Sequence, residues 1–134
     1  MPTIATRENF DNLILKSKKP CFVRFGHDGC PLCVNLKPII RDLEEKYSDG
    51  MDFFLAETTG NMDIMEEYLD GGVPTIGIFN EGIFSLIPYP EEPHYFTGYY
   101  EEDLDNHCYH YLLSLEIRKL ANERRANEHQ EEIS

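Results

Sequence analysis

The sequence predicts an α/β fold closed around one core. Its hydrophobic pattern switches repeatedly between the short β-rich runs of buried strands and the three-to-four spacing of amphipathic helices, and that alternation marks the α/β class. At 134 residues with 41% apolar content the chain is long enough for one sizeable core and too short for two. Read in order, the elements run β-α-β-α-β-α-β-β-α, five strands and four helices, with no internal repeat.

Thr3 to Ala5 reads as a short first strand. Thr6 can cap the helix that follows, whose apolar face is Phe10, Leu13 and Ile14, and Lys18-Lys19-Pro20 ends it. Cys21 to Phe25 is short, β-rich and bounded by Pro20 and Gly26, as a buried central strand would be. After the loop Gly26 to Gly29, the positions Leu32, Leu36, Ile39, Ile40, Leu43 and Tyr47 repeat with helical period until Ser48-Asp49-Gly50 stops them. Pro31 sits where a first-turn proline is tolerated, whereas Pro38 falls inside the helix and should kink it.

Met51 to Glu57 reads as another buried strand, followed by a short helix capped by Asn61 and ended by Gly71 and Gly72. Two further strands, "PTIGIFN" and "IFSLI", flank the tight turn Asn80-Glu81-Gly82 and form a hairpin. The proline-rich "PYPEEPHYFTG" has no sustained period and reads as a loop or irregular edge insertion. Its aromatic residues either wall the region of the second helix or cover the sheet edge. The last helix starts near Glu101, with Leu104, Cys108, Tyr111, Leu112 and Leu115 on one face. Beyond Leu120 the chain is nearly all polar and has nothing with which to dock, so residues 1–120 are expected to form the domain and 121–134 a polar, frayed helical tail.

A formal net charge of -13 repels phosphate backbones and anionic lipid, which argues against nucleic-acid and membrane-surface roles and leaves basic or neutral protein partners. No stretch approaches the roughly eighteen apolar residues of a membrane-spanning helix, and the N-terminus lacks the pattern of a secretory leader. A soluble, cytoplasmic monomer is the expectation.

Four cysteines, Cys21, Cys30, Cys33 and Cys108, could in a secreted chain make a disulfide framework; in a cytosolic one a CxxC is catalytic or metal-binding. The position of Cys30 and Cys33, between a buried strand and the start of a helix, favours redox chemistry over two small space-filling side chains. The first amides of a helix lack intrahelical partners and its dipole is positive there, so an anion is stabilised. Thiol pKa values at such sites fall from about 8.5 into the range of roughly 3.5–7.5. Cys30 is thereby the nucleophile, and Cys33, one turn on, can attack the mixed disulfide that Cys30 forms with a substrate.

Three segments at mutually consistent spacing resemble the thioredoxin family, and the resemblance spans Thr3 to Leu115. "ENFDNLILKSKKPCFVRF" resembles the family's first helix and central strand, "CPLCVNLKP" its active site and helix-kinking proline, and "GGVPTIGIFNEG" the segment with its cis-proline. The resemblance implies a thioredoxin fold with a central mixed sheet. It also implies that Pro74 is the cis-proline packed against the CxxC, that Val73 offers backbone hydrogen bonds to an extended substrate, and that Gly98, in "FTGYYEEDL", borders the groove.

The chain departs from the family's commonest pattern in having Gly29 before the first cysteine and Pro31-Leu32 between the two. Proline directly after the first cysteine resembles glutaredoxins and implies a less reducing potential. Where the family has a buried aspartate and a neighbouring lysine, this chain has Arg24 and Leu55. Glu57, two residues beyond Leu55 and so on the same strand face, can pair with Arg24 as a charge-swapped substitute. A permanent cation there should help hold the Cys30 thiolate while removing the usual proton acceptor for Cys33. His27 and Asp28 are either proton-tuning groups or solvated loop residues.

Cys21 and Cys108 read as packed core thiols. Neither His107 nor His110 lies on the stripe that carries Cys108, and no second half of a zinc pattern follows, so no metal is expected. The expectation is a dithiol-disulfide oxidoreductase acting on protein disulfides, supplied by a reductase or thiol donor and needing no cofactor beyond its cysteine pair. The alternative is a thioredoxin-fold binding adaptor with little redox activity.

Overall fold

The computed structural model describes residues 2–133, with side chains as far as residue 129. Five strands form one sheet in the order β1-β3-β2-β4-β5, namely β1 (Thr3–Ala5), β2 (Cys21–Gly26), β3 (Asp52–Glu57), β4 (Thr75–Asn80) and β5 (Ile83–Ile87). β1 and β2 run parallel to β3, and β4 runs antiparallel to both β2 and β5, so the sheet is mixed. β4 and β5 are joined through Glu81 and Gly82, both at positive φ (52° and 80°), the primed-turn geometry whose twist suits a two-residue hairpin.

Alternation along the strands divides the core between the two sheet faces. Phe22, Phe53, Leu55, Ile76 and Ile78 pack with Leu36, Ile40, Leu43 and Leu104 from helices on one side. Cys21, Val23, Phe25, Phe54 and Phe79 pack with Phe10, Ile14 and Met65 on the other. All six residues of β2 are buried, as befits the central strand with partners on both edges. On its first face β2 therefore presents Phe22, Arg24 and Gly26 in succession, and this row underlies the CxxC.

The first helix is a single α-turn, α1 (Arg7–Phe10), continued by a widened π-turn over Asp11–Leu15 in which Lys16 N–H donates to Asp11 O at 2.9 Å. The helix after Cys30 is broken into α2 (Pro31–Asn35) and α3 (Lys37–Tyr47) at Leu36, next to Pro38, whose missing N–H makes continuous pairing impossible. α4 (Met62–Met65) runs into a 3-10 turn, Glu66–Tyr68. Asn61 precedes α4 without capping it. Its amide instead donates to Glu57 O at 2.8 Å and its side-chain oxygen accepts Arg7 N–H at 3.1 Å, so it ties β3 to α1.

The last helix, α5 (Glu101–Ile133), continues past Leu120 without interruption. Its first turns are fastened to α3, where Lys46 Nζ donates to Asp105 at 2.8 Å and the Tyr47 hydroxyl donates to the same carboxylate. Among the described residues no helix is long and apolar enough to cross a membrane.

Candidate active site

β2 ends at Gly26, the three-residue loop His27-Asp28-Gly29 follows, and Cys30 then occupies the N-cap of α2 in extended conformation (φ -103°, ψ 110°). Pro31 takes the first helical position, where its fixed φ suits the helix and its absent N–H removes nothing. Two residues further on, Cys33 N–H points back and donates to Cys30 Sγ at 3.2 Å. An amide donor and the helix N-terminus both act on that sulfur, and each favours its anionic form.

Cys30 and Cys33 form a disulfide with Cα atoms 5.2 Å apart. Cys30 is partly exposed whereas Cys33 is fully buried, so an incoming disulfide reaches Cys30 alone. Gly26 makes room for the buried partner. A Cβ at that position would lie 2.6 Å from Cys33 Sγ and 3.0 Å from Arg24 Nε. Glycine inside a strand often marks a close approach of another group, and here the group is the inner sulfur.

Arg24 is completely buried beneath α2. Its Nη1 donates to Cys33 O at 3.1 Å and its Nη2 lies 3.5 Å from Glu57 Oε1. Nε and Nη2 have no hydrogen-bond partner among the described residues. Burial weakens the proton affinity of the guanidinium, and Glu57 opposes that effect most strongly. Arginine nonetheless stays charged, so a permanent cation sits under the inner cysteine. The register pairs Arg24 with Leu55 and Gly26 with Glu57, which brings Arg24, Glu57 and Cys33 together.

His27 and Asp28 take other partners. His27 Nδ1 accepts Gly29 N–H at 3.1 Å, which shapes the loop before Cys30. Asp28 is exposed and bonds Lys37 Nζ at 2.9 Å, and that ammonium holds its carboxyl below the usual range.

The Val73–Pro74 peptide is cis. Gly98, at φ 78°, lies where a Cβ would be 3.7 Å from Leu32 and 3.9 Å from Pro74, so the CxxC helix, the cis-proline loop and the turn before α5 meet at one point. On the other side Val73 and His27 join Thr58, Met62 and Leu69 around a cleft of about 340 Å³. Leu32, which periodicity assigns to the apolar face of the helix, and Asn35, which it does not single out, complete the rim. Leu32 touches the Gly98 position, and Asn35 Nδ2 donates to Phe96 O at 2.8 Å.

The aromatic segment divides between its two possible roles. Tyr99 is buried, and its hydroxyl donates to Ile87 O at 3.1 Å and accepts Ile76 N–H at 3.2 Å, with Tyr89 stacked on it at 4.6 Å, so these two cover the sheet. Tyr95 and Phe96 remain exposed beside α2. Cys21 and Cys108 are buried free thiols, and burial pushes Cys108 up to about 12. His107 and His110 are exposed, and among the described residues no three His, Cys, Asp or Glu side chains group as metal ligands.

Comparison with known proteins agrees with this geometry. The family model described as thioredoxin matches residues 2–91. A protein disulfide-isomerase-like protein, EhSep2, of Emiliania huxleyi is 36% identical over 78 residues, which cover 56% of this chain and 35% of that protein. A thioredoxin of Acidithiobacillus ferridurans is 28% identical over 75 residues, covering 56% of this chain and 69% of that one. The chloroplastic thioredoxin Y of Oryza sativa subsp. japonica is 32% identical over 77 residues, covering 58% and 46%. The chain thus spans less than two thirds of the length of two of these three relatives.

Proposed function

The chain belongs to the thioredoxin family, and from that premise we propose that it is a thiol-disulfide oxidoreductase acting on protein disulfides. The observation that carries the proposal is the bonded Cys30–Cys33 pair at the start of α2, with one sulfur accessible and the other buried behind it. In the reduced protein the Cys30 thiolate attacks a substrate sulfur, forming a Cys30–substrate disulfide and releasing one substrate thiolate. Cys33 then attacks Cys30 Sγ, the bond to substrate breaks, and the second substrate thiolate leaves. Two electrons have passed to the substrate, and the pair is oxidised.

Val73, Pro74 and Gly98 form the edge along which an extended substrate lies. Arg24, paired with Glu57, sets the charge beneath the pair. Turnover needs a reductase or thiol donor to regenerate the dithiol, which places the protein in cellular redox homeostasis and electron transfer. A cytoplasmic location and a monomeric state belong to the same reading, and the unpaired thiols of Cys21 and Cys108 suit a reducing compartment.

Reduction of a protein disulfide by wild type and by the Cys30→Ser and Cys33→Ser variants tests the proposal. Cys30→Ser should abolish activity. Cys33→Ser should stall with substrate bound through Cys30, visible as a covalent adduct by mass spectrometry. Equal, negligible rates for wild type and Cys30→Ser would instead leave the fold as a binding module.

A further inference from the structure

Between Lys46 and Arg118 the sequence has no lysine or arginine, yet it holds more than half of the chain's 25 acidic residues. That stretch supplies β3, the cis-proline loop, the aromatic segment and the start of α5, and so the whole of one bank of the groove. Beside the CxxC, Lys37 is engaged with Asp28 and Arg24 with Glu57.

On the acidic bank stands a group of exposed rings. Tyr95 is 89% exposed and Phe96 51%. His94 stacks on Tyr95 at 5.0 Å and meets Tyr100 edge-on at 5.2 Å, and the Tyr100 hydroxyl donates to Glu92 O at 2.9 Å. The group is held beside the disulfide by the Asn35–Phe96 bond and by the contact of the Gly98 turn with Leu32 and Pro74. Glu91 and Glu92 precede it in the chain, and Glu101 and Glu102 follow it. All four are exposed, and none has an ion-pair partner among the described residues.

Exposed aromatic faces next to unpaired carboxylates suit one chemistry best. An apolar partner would strip water from the carboxylates without compensation, and an anionic one would be repelled. A lysine or arginine side chain satisfies both features, with its charge against the carboxylates and over the ring faces. Resting on the oxidoreductase activity above, we propose that this face docks a lysine- or arginine-rich segment flanking the substrate disulfide, so that cationic disulfide proteins are the preferred substrates.

Matched disulfide peptides with lysine, serine or glutamate beside the cysteines test this. For the wild-type protein at low salt, kcat/KM should be about tenfold or more higher for the lysine peptide than for the glutamate peptide, narrowing as salt is added. Tyr95→Ala with Phe96→Ala should lower the lysine-to-serine ratio about threefold or more. Replacing Glu91, Glu92, Glu101 and Glu102 by glutamine should bring the ratio towards one. Equal kcat/KM for all three peptides would overturn the docking proposal and leave the activity standing, whereas no turnover of any would overturn both. A concentration-dependent dimer, detected by light scattering and lost on glutamine substitution, would overturn it by assigning the face to the basic Arg118–Arg125 region of a second copy.

Discussion

Two residues under the disulfide, Gly26 and Glu57, control it by different physics. Gly26 acts through space. Gly26→Ala would place a methyl group 2.6 Å from Cys33 Sγ, so the inner sulfur must move away from the line of attack on Cys30. Such a variant should still form the mixed disulfide but release product slowly, a burst followed by a lag in stopped-flow reduction. Glu57 acts through charge. Its carboxylate is three-quarters buried beside a guanidinium with no exposure at all, and Glu57→Gln leaves Arg24 without its counter-ion. Breaking fully buried pairs costs roughly 3–5 kcal/mol, and partial exposure here reduces the expected loss to about 1–3 kcal/mol. Unopposed, the cation should also lower the Cys30 thiol pKa, read by ultraviolet thiolate absorbance against pH. A variant unchanged in both respects would show that the pair is irrelevant. The pairing was legible because the resemblance to the family sets Arg24 beside Leu55, and strand alternation then puts Glu57 on the same face as Leu55. The role of Gly26 was not, because a lone sequence shows that a strand ends in glycine but not which side chain comes to rest against it.

At the scale of elements, strand β4 and the α3–α5 contact are the sensitive joints. A Cβ on Gly77 would fall 2.1 Å from the Phe84 ring and 2.8 Å from Ser85 O. The ring could turn, but the backbone oxygen of the neighbouring strand could not, so Gly77→Ala should destabilise by about 1–3 kcal/mol in urea unfolding. Asp105 joins α5 to α3, and the Lys46 ammonium followed by the Tyr47 hydroxyl holds its carboxyl below its ordinary value. A carboxyl depressed in the folded state adds stability that is complete above its unfolded pKa, about 3.9, and is lost as pH falls through the lower folded value. Asp105→Asn should therefore melt below wild type at neutral pH, with the gap closing in acid. Strands and helices were readable here because period two and period 3.6 are written directly in the apolar positions, and the proline break near Leu36 because proline's missing donor acts locally. Asn61 shows the limit. Its type and position suit an N-cap, yet its amide found Glu57 O and its oxygen found Arg7 N–H, partners that only the folded chain brings near.

For the whole molecule, charge and shape set what can approach the site. A chain of formal net charge -13 also carries the exposed Glu91, Glu92, Glu101 and Glu102 around its aromatic segment, so its long-range field and this local surface select the same partners. The far half of α5 lies outside this arrangement. From Glu116 to residue 129 its side chains are exposed, except for part of Ala121, and ending the chain after Leu120 should leave the melting temperature and peptide kcat/KM unaltered. Every step of the proposed cycle begins with Cys30 as an accessible anion and Cys33 as its sheltered partner. The most direct measurement is therefore alkylation of the fully reduced protein by iodoacetamide across pH, with the modified cysteine located by mass spectrometry. Cys30 should react first and alone, with an apparent pKa well below the ordinary thiol value of about 8.5. Modification of Cys33 first, or a Cys30 that titrates like a free thiol, would contradict the assignment.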